Sequence, residues 1–106
     1  MITILNEKRG ENELFVLSDG KEKLAECEYS FDDAEIFAIN VFCEDNNVFR
    51  ESVLRAALSR LDFAGKTDVI SKNPNLCDFL TGIGFEYIDG VGMINTSVFF
   101  KNSACK

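Results

Sequence analysis

Histidine is absent from the 106 residues of this chain, and its absence excludes a Ser-His or Cys-His nucleophilic site. The four cysteines, Cys27, Cys43, Cys77 and Cys105, are widely separated and form no Cys-x-x-Cys pair. A zinc site of the familiar spacing is therefore not expected, and we predict no metal site. Cys27 and Cys43 fall in strand patterns and Cys77 in a helical one, which favours buried, reduced thiols.

Long apolar runs are also lacking. No run approaches the roughly 18 uninterrupted apolar residues that a membrane span needs. Residues 1–9 place their charges after a very short apolar piece, which is the reverse of a signal peptide. We therefore expect a cytoplasmic protein that does not insert into membranes.

Blocks of basic residues are missing as well. Acidic residues outnumber basic ones by 18 to 11, so the net charge is −7. Neither nucleic acid nor an anionic membrane surface is expected as the main partner of such a chain. The charge favours a cationic or amine-bearing partner, although solubility alone is a sufficient reason for an acidic surface.

The chain has one proline, 46% hydrophobic residues and 27% charged residues, a composition typical of a folded domain. Its length is close to the commonest domain size and allows a sizeable core. No repeat and no linker interrupt it. We predict a single domain that spans residues 1–106.

The first third of the chain has strand patterns. Residues 2–5 are a short apolar stub, suited to a first or edge strand, and residues 13–17 form a second strand. Asp19-Gly20 is a strong hairpin signal. Residues 24–31 alternate strictly between apolar and polar side chains, which predicts a strand with one wet face.

The centre of the chain combines a strand, a polar loop and a helix. Residues 34–42 are apolar on both faces apart from Glu35 and Asn40, which predicts a central strand covered on both sides. Residues 45–47 supply helix N-cap side chains. An apolar stripe from residue 48 to residue 61 has the period of a helix packed on a sheet.

The last third begins with a short strand at residues 67–71, which a right-handed crossover makes parallel to the central strand. Asn73-Pro74 starts a second helix. Residues 85–88 and 93–100 then form a closing hairpin. The predicted order is β-β-β-β-α-β-α-β-β, an α+β fold (α/β in the broad sense) with a mixed, mostly antiparallel central sheet.

This order, with Ala-Glu-Ile at residues 34–36 and Leu-Thr-Gly-Ile-Gly-Phe at residues 80–85, resembles the GNAT superfamily of acetyl-CoA-dependent N-acetyltransferases. The resemblance covers residues 12–100 and implies a minimal GNAT-like fold that lacks the family's first two helices. It implies acetyl-CoA as the cofactor and an amine, either a small amine or a protein lysine, as the acceptor.

The resemblance also implies the roles of individual residues. Glu35 matches the carboxylate that deprotonates the acceptor amine, while Leu80 stands where many members have a tyrosine as general acid. Tyr29 or Tyr87 is the candidate substitute, and we select Tyr87. In the family, strand backbone meets the pantetheine arm and a helix start holds the pyrophosphate. The cofactor-binding residues are then Ile39, Val41, Asn46, Asn47, Arg50 and Asn73.

Two departures from the family lead to a second hypothesis. The loop at residues 44–51 lacks the family's two glycines and carries Glu44, Asp45 and Glu51, which repel phosphate, so we expect weak acetyl-CoA binding. Residues 6–12 leave no room for the two acceptor helices. The alternative is a catalytically silent binding or dimerisation module, a homodimer in contact through its open sheet face and residues 2–5.

Overall fold

The computed structural model describes residues 2–42 and 47–104. Seven strands, three α-helices and one 3-10 turn lie within these residues. In chain order they are β1 (Thr3–Arg9), β2 (Asn12–Ser18), β3 (Lys23–Ser30), β4 (Glu35–Val41), α1 (Asn47–Phe63), β5 (Asp68–Ser71), the 3-10 turn (Pro74–Leu76), α2 (Cys77–Ile83), β6 (Glu86–Ile88), β7 (Val91–Asn95) and α3 (Thr96–Ala104).

The strands form one sheet in the order β1-β2-β3-β4-β5-β7-β6. Only β4 and β5 pair in parallel, and every other neighbouring pair is antiparallel. The predicted α+β class and the mixed, mostly antiparallel sheet are therefore confirmed. None of the helices among the described residues is long and apolar enough to cross a membrane.

Helix α1 covers one face of the sheet. Most of its apolar stripe is fully buried, as the period of the sequence predicts, namely Val53, Leu54, Ala57, Leu58 and Leu61. At the start of the predicted stripe Phe49 is half-buried and Val48 is exposed. The stripe packs in one core with side chains of β3 and β4, including Tyr29 and Ile36. This core holds β4 in the middle of the sheet, fourth of the seven strands.

The predicted wet face of β3 is wrong. Glu26 is only 4% exposed and Ser30 only 7%. Cross-strand neighbours cover the Glu26 carboxylate, because Arg9 Nη1 lies 3.5 Å from its Oε2 and Asn40 Nδ2 donates to the same atom at 3.2 Å. Strict alternation in the sequence did not reveal that neighbouring polar side chains shield this face.

The prediction that β4 is covered on both sides is also wrong. Ile36 and Ile39 are buried, but Asn40 is exposed and the remaining residues are half-buried. The strand is central in the sheet, but helix α1 packs on one face of it only, where Ile36 and Ile39 join the core.

The predicted strand at residues 93–100 is wrong beyond Asn95, because Thr96–Ala104 is helix α3. Asn95 Oδ1 accepts a hydrogen bond from Val98 N at 3.0 Å, the geometry of a helix N-cap. Thr96 is buried and donates from Oγ1 to Asp62 Oδ1 at 2.8 Å, which attaches the helix start to α1. The residues after Asn95 are largely apolar, which is why the sequence predicted a strand there. The N-cap at Asn95 ends strand β7 and starts helix α3 instead.

Candidate functional site

Strands β4 and β5 pair at the start of β4 and then separate. Their register contains a single pair, Glu35 with Ile70, supported by the hydrogen bond from Ile70 N to Ala34 O at 2.9 Å. Beyond this pair, side chains replace strand pairing. Ser71 Oγ donates to Ile36 O at 3.0 Å, and Asn73 Nδ2 donates to Phe37 O at 2.7 Å.

Strand β4 continues to Val41, well past the last residue of β5. Phe42 N donates to Leu24 O, so the backbone groups of Phe42 are directed towards β3. Because successive residues of a strand direct these groups to opposite sides, those of Ile39 and Val41 are directed towards β5. No strand of the described residues pairs with them there, so β4 has an open backbone edge at this position.

Tyr87 lies in one row with Gly92 and Ser71 across β6, β7 and β5. Its ring covers Gly92 so closely that a Cβ on this glycine would lie 2.5 Å from the ring atom Cζ. The hydroxyl is buried and forms no hydrogen bond of ordinary geometry within the described residues, although Ser71 lies close enough to act on its pKa. Burial, with the nearby Cys77 thiol, raises the pKa of Tyr87 above its ordinary value, so the hydroxyl retains its proton.

Glu35 and Tyr87 are not brought together on one face. Glu35 is in register with Ile70, whereas Tyr87 shares its row with Ser71, the next residue of β5. Successive residues of a strand point to opposite faces. The half-buried Glu35 side chain therefore lies on the opposite face of the sheet from the Tyr87 ring. Ser71, in the same row as Tyr87, is the last residue of β5, and Asn73 follows two positions later.

The residues predicted to bind the pyrophosphate lie at the start of α1. Arg50 Nη1 donates to Asn47 Oδ1 at 2.9 Å, so these two side chains contact each other across the first turn. Asn46 lies outside the described residues. The first turn of α1 carries no acidic residue, but Glu51 follows it directly and opposes the attraction of the helix start for an anion.

No family model and no curated protein sequence matches this chain. The function is therefore inferred from the geometry of its own residues.

Tyr29, the other candidate acid, has its hydroxyl already occupied. Its Oη donates to Glu13 Oε1 at 2.7 Å and accepts from Asn6 Nδ2 at 3.0 Å. Glu13 in turn accepts from Arg60 Nε at 2.7 Å and from its Nη2 at 3.2 Å. The Arg60 guanidinium holds the pKa of Glu13 at about 2. These four residues connect β1, β2 and β3 to α1, and their role is structural.

Sequence reasoning missed Ser71 as a residue of this site. It is fully buried, its hydroxyl bridges to β4, and it accepts a long hydrogen bond from Asn73 N at 3.4 Å. The only sequence signal was a serine at the end of a short strand, two positions before a capping asparagine. A serine is common at strand ends, so this signal alone does not identify a site. Ser71 stands out only in the structure, where its hydroxyl bridges to β4 at the point where β4 and β5 separate.

Proposed function

We propose that this chain transfers an acetyl group from acetyl-CoA to an amine, as its resemblance to the GNAT superfamily implies. One observation carries the proposal: the open backbone edge of β4 at Ile39 and Val41, which lies between the separating strands and ahead of helix α1. Backbone groups without a strand partner bind extended chains that carry amides, and the pantetheine arm of acetyl-CoA is such a chain.

The residues around this edge fit the cofactor in chemical type. Ile39 and Val41 offer backbone donors and acceptors, and Asn73 is fixed against Phe37 O at 2.7 Å. Asn46, Asn47 and Arg50 are the proposed residues for the pyrophosphate. When bound, acetyl-CoA supplies the activated acetyl thioester.

Two side chains are proposed to move protons. Tyr87 keeps a proton on a buried hydroxyl that forms no hydrogen bond of ordinary geometry within the described residues, which suits a donor to a departing thiolate. Glu35 is the proposed base for the amine. Because the two lie on opposite faces, we propose that the amine enters through the gap where β4 and β5 separate.

Titration with acetyl-CoA, followed by calorimetry and by NMR shifts over residues 39–41 and 47–54, tests the proposal. We expect saturable, localised binding with a dissociation constant weaker than about 100 μM, or roughly −5.5 kcal/mol, because the loop at residues 44–51 lacks the family's glycines and carries three carboxylates. A low-micromolar constant would contradict the expected weakness. No binding at millimolar acetyl-CoA would rule out the acetyltransferase.

Two variants separate binding from catalysis. Glu35→Gln is expected to retain acetyl-CoA binding and to lose transfer to a panel of amines. Tyr87→Phe is expected to slow transfer with little loss of stability, because the hydroxyl that it removes is buried and forms no hydrogen bond of ordinary geometry within the described part of the chain. Equal transfer rates in the wild type and in both variants would show that neither Glu35 nor Tyr87 takes part in the transfer.

A second candidate function is a silent binding or dimerisation module, favoured by the exposure of β1. All seven residues of this edge strand are exposed, and the apolar side chains of Ile2, Ile4 and Leu5 are 57%, 40% and 55% exposed. An edge strand of this kind is a template for pairing with another chain. A homodimer joined at β1 is the form of this proposal.

A further inference from the structure

A cavity of about 900 Å³ lies beside the ends of α2 and α3 and the β6-β7 hairpin. Its volume is in the range of small-molecule sites. Ser71, Asn73 and Tyr87 do not line it, and neither does any residue of β4. It is therefore separate from the opening between β4 and β5, and a ligand there is independent of the proposed acetyl transfer.

The walls of this cavity are largely apolar. Ile88, Met93 and Val98 line it and are 72%, 50% and 57% exposed, although their side chains are large. Ile83 and Phe99 add further apolar surface. Large apolar side chains that are gathered in one concave surface, rather than scattered singly, mark a ligand or partner site.

The charge of the lining is negative. Glu51, Asp68 and Glu86 face a single cationic residue, Arg55. Arg55 is engaged by Glu51, with Nε 2.8 Å from Oε2, and its guanidinium lies 5.0 Å from the ring centre of Phe99.

Among the described residues, no cation pairs with the other two carboxylates. Asp68 accepts a hydrogen bond at 3.1 Å from the neutral amide of Asn95, and within the described residues neither Asp68 nor Glu86 forms an ion pair. A neutral ligand would partly remove these carboxylates from water without compensating their charge.

We propose that this cavity binds a small amphipathic organic cation. Its apolar body packs against Ile88, Met93 and Val98, and its ammonium group faces the carboxylates of Asp68 and Glu86. Burial of the apolar body supplies affinity, and the charge-assisted contact supplies the preference for a cation over a neutral molecule.

The test compares two probes of nearly equal size, 2-phenylethylammonium and the neutral 2-phenylethanol, by NMR titration at low salt. We expect saturable shifts confined to residues 83–99 and α1 near Arg55, with the cation bound about tenfold more tightly than the alcohol. Because the selective contact is electrostatic, this ratio should fall as salt is raised. Equal affinities, or shifts spread over the whole sheet, would overturn the proposal.

Variants locate the two parts of the site. Glu86→Gln and Asp68→Asn conserve shape and are expected to weaken the cation several-fold each, with little effect on the alcohol. Glu11→Gln, an exposed carboxyl in the β1-β2 turn, is the matched control and should change neither affinity. Ile88→Ala should weaken both probes. If Glu11→Gln weakens the cation as much as Glu86→Gln does, overall charge rather than the cavity is responsible, and the site is rejected.

Discussion

Glu13 is the residue whose charge contributes most clearly to the fold. It is 5% exposed and accepts hydrogen bonds from both Tyr29 and Arg60. These contacts, that of Arg60 foremost, lower its pKa from 4.5 to about 2. A carboxylate whose pKa is lower in the folded state stabilises that state only while it is ionised.

The pH dependence of stability follows from this shift. Above pH 4.5 the contribution of Glu13 is fully present, and it is lost as the pH falls from about 4.5 to about 2. Because Arg60 is 41% exposed, solvent screens the pair, and we expect a loss of about 2 kcal/mol. Urea unfolding at pH 7 and pH 3 measures it.

Glu13→Gln should be less stable at pH 7 and should lose less stability than the wild type on acidification. Glu11→Gln, at an exposed position two residues earlier, is the matched control and should behave as the wild type. The same loss of stability between pH 7 and pH 3 in Glu13→Gln and in the wild type would assign the acid sensitivity to other carboxylates.

Gly92 is required by the tyrosine beside it. A Cβ at this position would meet Tyr87 ring atoms at 2.5, 2.7 and 3.0 Å. Gly92→Ala is therefore expected to displace the ring and to destabilise the fold by about 1–3 kcal/mol. The measurement is the urea midpoint together with the fluorescence or NMR signal of Tyr87.

Gly82 provides the control for this substitution. It lies in α2, where nothing comes within 4 Å of a built Cβ. Gly82→Ala should be neutral or stabilise by up to about 1 kcal/mol, because alanine favours the helix. Destabilisation of equal size at both glycines would show that the Tyr87 contact is not the cause.

At the scale of elements, Asn73 joins three parts of the site. Its Oδ1 accepts from Asn75 N at 2.9 Å and so caps the 3-10 turn, while its Nδ2 donates to Phe37 O in β4. The asparagine therefore sets how β5 leads into α2 and also holds the end of β5 against β4. Because both contacts come from one side chain, a single substitution at Asn73 removes both.

Asn73→Ala is expected to destabilise the fold by about 2 kcal/mol, from loss of the cap and of a bond to a partly buried carbonyl. Amide hydrogen exchange should rise at residues 36–41 and 71–76. Asn75→Ala, at an exposed neighbour, is the control and should change neither quantity. If Asn73→Ala leaves amide hydrogen exchange in β4 unchanged, Asn73 does not hold the end of β5 against β4.

The helices and strands differ in how far sequence could predict them. The buried stripe of α1 and the hairpin connection at Asp19-Gly20 were predicted correctly, because a 3.6-residue period and turn residues are local signals; the connection itself spans residues 19–22. Residues 96–104 were not, since Thr96 and its neighbours read as a strand by composition. The Asn95 cap and the Thr96–Asp62 hydrogen bond decide for a helix, and the second of these spans 34 residues.

At the scale of the whole molecule, the exposed β1 edge bears on oligomeric state. We expect light scattering at high concentration to give twice the mass of one chain, because an unpaired seven-residue edge with exposed Ile4 and Leu5 favours pairing. The double substitution Ile4→Lys and Leu5→Lys adds charge to the edge and should give a monomer.

Phe63→Lys is the control for that prediction. Phe63 is 95% exposed at the end of α1 and is not part of the β1 edge, so its replacement should leave the dimer intact. A monomeric wild type at high concentration would refute the homodimer. Loss of the dimer on Phe63→Lys would move the contact away from β1.

The sequence by itself determined the class of the fold, the central position of β4 and the buried stripe of α1, because periodicity and turn chemistry act over a few neighbouring residues. For the candidate site the sequence proposed individual residues but not their arrangement, and it missed Ser71. Only the tertiary structure placed Glu35 and Tyr87 on opposite faces, set the Tyr87 ring over Gly92, and covered Glu26 with Arg9 and Asn40. These outcomes depend on strand order and on register across the sheet, which pair residues far apart in the chain and leave no local signal.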